Sequence, residues 1–365
     1  MPYPPNYGGI IDVFYKIKQL QQLGVSIILH CYQYGRPQAK ELEKHCNKVH
    51  YYPRDESFNN LFSTKPYIVK SRNSNKLLQN LLLDNHPILF EGLHSTFPLL
   101  NSDYISRKTM VRMHNIEHYY YEGLKNSATK ISDKLFFHIE SKKLKKYETI
   151  LNKVDHILTI SPSEQAYFKD KFLYKSVYIP VFYDNNKKEI SNTHKIFSLW
   201  HGDLRVVDNQ KSLNFIIEIY KGLNTELIIA SSHMTKTIIK KTQNISNISI
   251  VQIKEKTELD NLIREAHIHP LFSYQKTGIK LRLLNILTNG KHLVSNSLII
   301  EDTGLEGCVH IANSVSEFRL KIRKLLAIRF DEKQSTKRKE FLRSFDPKQS
   351  ALKIINLLKD TAPLK

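Results

Sequence analysis

Residues 271–305 read LFSYQKTGIKLRLLNILTNGKHLVSNSLIIEDTGL, and this stretch sets the expected fold. A strand reading at 268–272 runs into a short loop that carries Thr277 and Gly278. Ile279, Leu283, Leu284, Ile286 and Leu287 then recur on one side of a helical period, which predicts a helix over 278–289. Gly290 stops that run, and 292–295 reads as the next strand. A glycine just before a helix lets the backbone approach a ligand, while free N–H groups and the helix dipole favour a phosphate. Lys280 and Arg282 fall in the first turn, where a cation opposes the dipole unless an anion is bound there. That conflict is a first hint of a phosphate-bearing ligand, set against the commoner case in which such a junction is only a turn.

Working outward, the same alternation fills the second half. Strands are expected at 196–200, 226–230, 248–253, 268–272, 292–295 and 309–312, with helices near 212–222, 257–266, 278–289 and 315–326. In the first half, a loop at 4–9 opens a helix at about Ile10, with Gly24 as its C-terminal cap. Strands follow at 25–31, 49–52, 88–91, 109–113, 156–160 and 177–181, with helices at 75–83 and 132–152. Strands separated by helices mean a parallel sheet covered on both faces. A Gly-rich loop feeding a helix ordinarily follows a strand in such folds. Here almost nothing precedes it, so either a first strand is missing ahead of Met1 or the domain lacks that strand. The expected organisation is an α/β domain at 1–182, a polar linker at 183–195, a second doubly wound domain at 196–346, and a helix at 347–365 that packs elsewhere, back on the first domain.

Composition bounds the function. With 365 residues, 41% hydrophobic and 10% aromatic, the chain is globular and long enough for two cores. No apolar run reaches the roughly 18 residues of a membrane-spanning helix, and the start lacks the segments of a signal peptide. Three sparse cysteines without metal-like spacing suit a reducing cytoplasm. A formal charge of +20 implies an anionic environment: nucleic acid, an anionic membrane or phosphorylated ligands. Without zinc-finger spacing or an RNP-like motif, nucleic acid is the least supported of these, and no nucleic-acid partner is expected.

Polar residues that follow strands are where a doubly wound fold binds ligands. They are Tyr7-Gly8-Gly9, His94 and the run Arg112 to Glu117 in the first half, and His201-Gly202-Asp203, Ser231-Ser232-His233, Tyr274 to Lys280 and Glu301 to Leu305 in the second. A wider set of motifs carries a likeness to a known family: Pro5-Asn6-Tyr7-Gly8-Gly9, Arg112-Met113-His114-Asn115-Ile116-Glu117 with Tyr119-Tyr120, Ile160-Ser161-Pro162-Ser163-Glu164, His201-Gly202-Asp203-Leu204, Gln275-Lys276-Thr277-Gly278-Ile279-Lys280, Asn289-Gly290-Lys291 and Thr303-Gly304-Leu305. Through these motifs the chain resembles a bacterial GT-B glycosyltransferase of the family 4 type. The resemblance spans about residues 5–305 and rests on the order and spacing of the motifs together.

The resemblance implies a GT-B fold, two Rossmann-like domains facing across a cleft, and sugar transfer from a nucleoside-diphosphate sugar with retention. The donor is expected on the C-terminal domain and a glycan or lipid-linked acceptor on the N-terminal one. It implies no cofactor and no metal site, so helix dipoles and basic side chains must meet the departing diphosphate. Thr277 and the amides of Gly278 onward then read as the phosphate cradle, with Lys280 as its counter-charge. Relatives of this type carry two glutamates eight positions apart, where this chain has Thr277 and Asn285. The basic residue usual after the first glycine of the second domain is replaced, since Asp203 follows Gly202. Arg205 or Lys211 is expected to supply that charge.

His94 stands where the family often places a histidine near the transferred sugar; a surface or capping role stands level with it. His114, Asn115 and Glu117, with Arg112 on the strand before them, form a polar cluster read as acceptor-side, Glu117 as base or orienting carboxylate. A purely structural Arg112–Glu117 pair is the other reading. Gly8 and Gly9 approach the diphosphate or simply open a helix. Glu301 accepts a ribose diol or is an exposed loop acid, and Thr303-Gly304 turn amides toward the diphosphate. Lysines at 142, 143, 145 and 146 suit peripheral contact with an anionic membrane, or a solvated face. The expected protein acts in the cytoplasm, at the inner face of the membrane, on surface glycans. A nucleotide-sugar epimerase and a catalytically degenerate GT-B binding or scaffold protein are the competing expectations.

Overall fold

The computed structural model describes residues 1–5, 8–33, 35–101, 107–128, 130–185, 196–274 and 281–359. The chain divides into two compact units, Met1–Tyr183 together with Phe345–Lys365, and Asp184–Ser344. Each is built of parallel strands and helices.

Unit 1 contains β1 (Ile28–Gln33), β2 (Lys48–Pro53), β3 (Ile88–Glu91), β4 (Thr109–Arg112), β5 (His156–Thr159) and β6 (Ser176–Tyr178). They form two sheets, β1-β2 and β3-β4-β5-β6, all pairings parallel. Among the described residues no strand pairs with the second edge of β1 or of β3. Every residue of the central strands β4 and β5 is buried, as in strands covered on both faces.

The helix Gly8–Gln22 buries Phe14, Ile17 and Leu20. Gly24, at φ +84°, ends it in the left-handed region that favours glycine, and its N–H donates to the Gln21 carbonyl. The C-terminal helix Pro347–Lys359 belongs to this unit: Ala351 and Ile354 share one cluster with Leu20, Met110, Leu158 and Phe182. Full burial of a side chain like Ile354 contributes about 1.5–3 kcal/mol. The helix expected over 132–152 is Ile131–Tyr147, tightening into a 3-10 segment at Glu148–Lys153. Three helices carry little apolar periodicity and are set by capping and tertiary burial instead. Of these, Pro162–Phe172 starts where Ser161 Oγ accepts from the Glu164 N–H, Glu332–Leu342 starts where Asp331 Oδ1 accepts from the Gln334 N–H, and Ile131–Tyr147 is held by burial of Leu144 and Tyr147.

Unit 2 contains β7 (Phe197–His201), β8 (Glu226–Ser231), β9 (Ile248–Gln252), β10 (Ile268–Leu271), β11 (His292–Ser295) and β12 (His310–Ile311). They form one continuous parallel sheet in the order β12-β11-β10-β7-β8-β9. This is the doubly wound order, whose direction reverses between β7 and β10. Trp200, Leu227, Ile268, Val294 and Phe318 lie in its main apolar cluster.

Candidate functional site

In unit 1, polar side chains converge at the C-terminal ends of β3 and β4 and on the helix Gly8–Gln22. Arg112, the last residue of β4, is 0% exposed, and its donors are all engaged. Its Nε and Nη2 grip Asp12 at 3.0 and 2.8 Å. The remaining donors reach the carbonyls of Thr159, Ile179 and Pro180 at 3.4, 2.6 and 3.0 Å. Asp12 also accepts from the Phe182 N–H at 2.7 Å. Burial would raise the Asp12 carboxyl, but Arg112 and Lys16 overcome it and hold the group well below the usual carboxylate range. Lys16, four residues on, lies 3.5 Å from Asp12 and 2.5 Å from Glu91 at the end of β3. His114 Nε2 lies 3.2 Å from Glu91 and 3.7 Å from Asp12. Glu91 is pulled down by Lys16 and by the His114 hydrogen bond against the upward push of burial. The ligand atoms of Asp12, Glu91 and His114 lie within 4.8 Å of one another. The Lys16 ammonium already places a positive charge among them.

Around this network stand groups with spare chemistry. A Cβ on Gly9 would stand 3.0 Å from His114 Nδ1, so the start of the first helix lies against that imidazole. Glu117 is buried at the start of its helix, and burial pushes its carboxyl up to about 7, with His114 and Arg72 pulling the other way. A carboxyl so poised exchanges a proton near neutral pH. Glu164 is likewise pushed up to about 7 by burial, against its Ser161 hydrogen bond. His94 packs over Gly92, whose φ is +74°, and burial with the charge of Arg72 drives it well below the ordinary imidazole range.

In unit 2 the reversal point between β7 and β10 is lined by Gly202, His201 and Arg282. Arg282 reaches back from the helix Leu281–Asn289 to donate to the His201 carbonyl at 2.7 Å and to Asn209 Oδ1 at 2.9 Å. Its guanidinium lies 5.6 Å from the Trp200 ring centroid, and a Cβ on Gly202 would stand 2.8 Å from its Nη1. No carboxylate of the described residues lies within 4.0 Å of it. Burial therefore lowers its pKa to about 10, with distant Asp208 opposing. Three of its five N–H donors have no hydrogen bond among the described residues.

No family model matches the sequence. A Klebsiella pneumoniae protein described as an uncharacterized 44.6 kDa protein in the cps region is 25% identical over 326 residues, 83% of this chain and 82% of that one. Sucrose-phosphate synthase from Thermosynechococcus elongatus superposes with a TM-score of 0.67 at 13% identity, covering 96% of this chain and 92% of that one. Anabaena HepE, in complex with UDP and glucose, gives a TM-score of 0.66 at 13% identity over 96% of each chain. The fold is GT-B.

Within this GT-B chain the expected residues fall into three groups. His94, His114, Asn115 and Glu117 follow β3 and β4 in unit 1, and Gly9, in the first helix, stands beside His114, with Gly8 next to it as the first residue of that helix. Arg112 requires a correction: its partner is Asp12, not Glu117, and its occupied fork makes it a tie beneath the site and leaves no donor for an acceptor. The charge after Gly202 was expected from Arg205 or Lys211. Arg205 is exposed and clasps Asp203, with Nη2–Oδ2 at 2.7 Å, and Lys211 points to solvent, while the cation beside Gly202 is Arg282. The Thr303 N–H donates to the Ile300 carbonyl and its hydroxyl accepts from the Leu305 N–H, so Thr303 closes its own turn; Gly304, at φ +75°, completes it. Glu301 is exposed. Thr277, Gly278 and Lys280 lie outside the described residues, as does most of the expected linker.

Sequence reading missed Asp12, Lys16 and Glu91. The available signal was an Asp-Lys pair four residues apart directly after Gly8-Gly9, which looks like an ordinary surface helix pair.

Proposed function

We propose that this protein is a retaining, metal-independent glycosyltransferase, moving a sugar from a nucleoside-diphosphate sugar to a glycan or lipid-linked acceptor in surface-polysaccharide synthesis. The observation that carries the reading is the Arg282 guanidinium, in ion-pair contact with no described carboxylate, at the reversal point of unit 2 in a GT-B fold. The donor diphosphate lies against Arg282 beside the side-chain-free Gly202, and Thr277, Gly278 and Lys280 are the further phosphate-binding residues expected from the sequence. As the bond from anomeric carbon to diphosphate breaks, these cations meet the charge on the leaving group. The acceptor oxygen forms the new bond and gives up its proton; unit 1 offers Glu117, poised near neutrality, as a proton acceptor, and His114 and His94 to orient a hydroxyl. HepE in complex with UDP and glucose supports the donor class, and the cps-region relative supports the polysaccharide setting.

Isothermal titration with a panel of nucleoside diphosphates and their sugars tests the reading. At least one is expected to bind below millimolar concentration; binding by none of them sinks it. A second reading, a nucleotide-binding protein without transfer activity, is favoured by one observation. Asn285 stands where a glutamate is usual, and its Oδ1 accepts from Asn289 at 2.9 Å. That reading predicts binding with neither transfer nor hydrolysis.

A further inference from the structure

The helix Ile131–Tyr147 in unit 1 turns an apolar row to solvent. Ile131, Leu135 and Ile139 are 84%, 59% and 44% exposed, and spacing by four aligns them on one face. The same face continues into exposed Lys142 and Lys146, flanked by exposed Lys134 and Lys145. Carboxylates are kept off it. Glu140 is buried, accepting from the Tyr67 N–H at 2.6 Å and pairing with Lys143 at 2.9 Å. Asp133, two residues from Ile131, falls on the far side of the helix.

A second exposed apolar pair sits on a segment bonded to this helix. Phe58 and Phe62 pack edge to face at 5.5 Å while 70% and 78% exposed. Their 3-10 segment Phe58–Phe62 is tied to the same helix, because Lys143 Nζ donates to the Leu61 carbonyl at 2.9 Å. A row of three large apolar side chains in water beside four lysines, with a further exposed phenylalanine pair on the segment bonded to the helix, is exposure that soluble proteins rarely carry without a partner.

We propose that this face docks on an anionic lipid bilayer, with Phe58, Phe62, Ile131, Leu135 and Ile139 entering the headgroup boundary and Lys142, Lys145 and Lys146 on lipid phosphates. Charge selects this occupant. A row of apolar residues ending in lysines, on a chain of formal charge +20, complements an anionic plane. A second copy would set lysine against lysine. The inference stands apart from the transfer reaction, since docking needs neither donor nor acceptor.

Flotation with vesicles tests it, comparing pure phosphatidylcholine with phosphatidylcholine carrying about 30 mol% phosphatidylglycerol. The protein is expected to bind the anionic vesicles at least ~10-fold better, and raising salt to about 0.5 M should erase the difference. The triple variant Ile131→Ser, Leu135→Ser, Ile139→Ser should lose binding at least ~10-fold. Lys142→Gln, Lys145→Gln, Lys146→Gln should lose roughly 100-fold on anionic vesicles alone. All six positions are exposed, and unchanged circular-dichroism melting curves check the fold of both variants. Equal binding to both vesicle types, or variants that bind as the parent does, would overturn the proposal. So would concentration-dependent dimerisation, by light scattering, that the serine variant abolishes.

Discussion

In unit 2 the first strand of the sheet, β7, sits at its centre, paired with β8 on one side and β10 on the other. In unit 1, β1 and β3 each keep an edge with no strand partner among the described residues, and the sheet comes in two pieces. A continuous ladder lets apolar burial hold unit 2 together. Unit 1 instead joins the helix Gly8–Gln22 to the strand ends through Arg112–Asp12 and Lys16–Glu91, nearly all of it buried. The lesson is that an interrupted sheet leans on charge pairs, which are costly to bury and more costly to break.

Removing one partner should separate the units most sharply. Arg112→Leu leaves Asp12 buried without its guanidinium and is expected to destabilise unit 1 by about 3–5 kcal/mol. Trp200 is the single tryptophan and lies buried in the unit 2 core, so its fluorescence reports that unit while circular dichroism reports both. The circular-dichroism curve should gain an early transition while the tryptophan midpoint stays put. A common shift of both probes would break the contrast.

On the unit 2 side, Arg282→Gln should weaken nucleoside-diphosphate binding by about 1.5–3 kcal/mol, roughly 10- to 100-fold, with a smaller effect on the tryptophan midpoint. Unchanged affinity in titration would remove Arg282 from the donor site.

Within unit 1 the pH response should run in two directions. Glu117 titrates at about 7 instead of 4.5, so the folded state holds its proton longer than the unfolded chain. Its stabilising contribution is full below 4.5 and lost as pH rises through 7. Asp12 runs the other way: its contribution is present above the ordinary carboxylate range and is lost as pH falls below about 4. Melting temperatures of Glu117→Gln should therefore vary less between pH 4.5 and 7 than the parent's. The smallest effect is expected for Asp203→Asn, which breaks only a surface pair with Arg205 and should shift the tryptophan midpoint by less than about 1 kcal/mol.

Much of this architecture could be read from local pattern. β3, β11 and the helix Val315–Leu326 have the bounds expected from sequence, because apolar runs there are bracketed by glycine, proline or polar residues. Gly24 was legible as a cap for the same local reason. The helix Glu332–Leu342 was not, since KQSTKRKEF has no apolar period and its start is fixed by the Asp331–Gln334 capping box. The candidate site was legible in outline only. His114 and Glu117 announced themselves after an apolar strand, but Arg112 finds Asp12 exactly one hundred positions away, a pairing that only tertiary structure creates. Arg282 was visible as a cation out of place in a first turn. Its reach to the end of β7 was not.

The central claim is sugar transfer at a donor site built on Arg282. Its most direct test is mass spectrometry of extracted lipid acceptors incubated with pooled nucleotide sugars and either parent or Arg282→Gln protein. The account predicts one acceptor gaining the mass of a single sugar, with release of a nucleoside diphosphate, in the parent and strongly reduced in the variant. No transfer from any donor, by a parent protein that still binds nucleoside diphosphates, would contradict it.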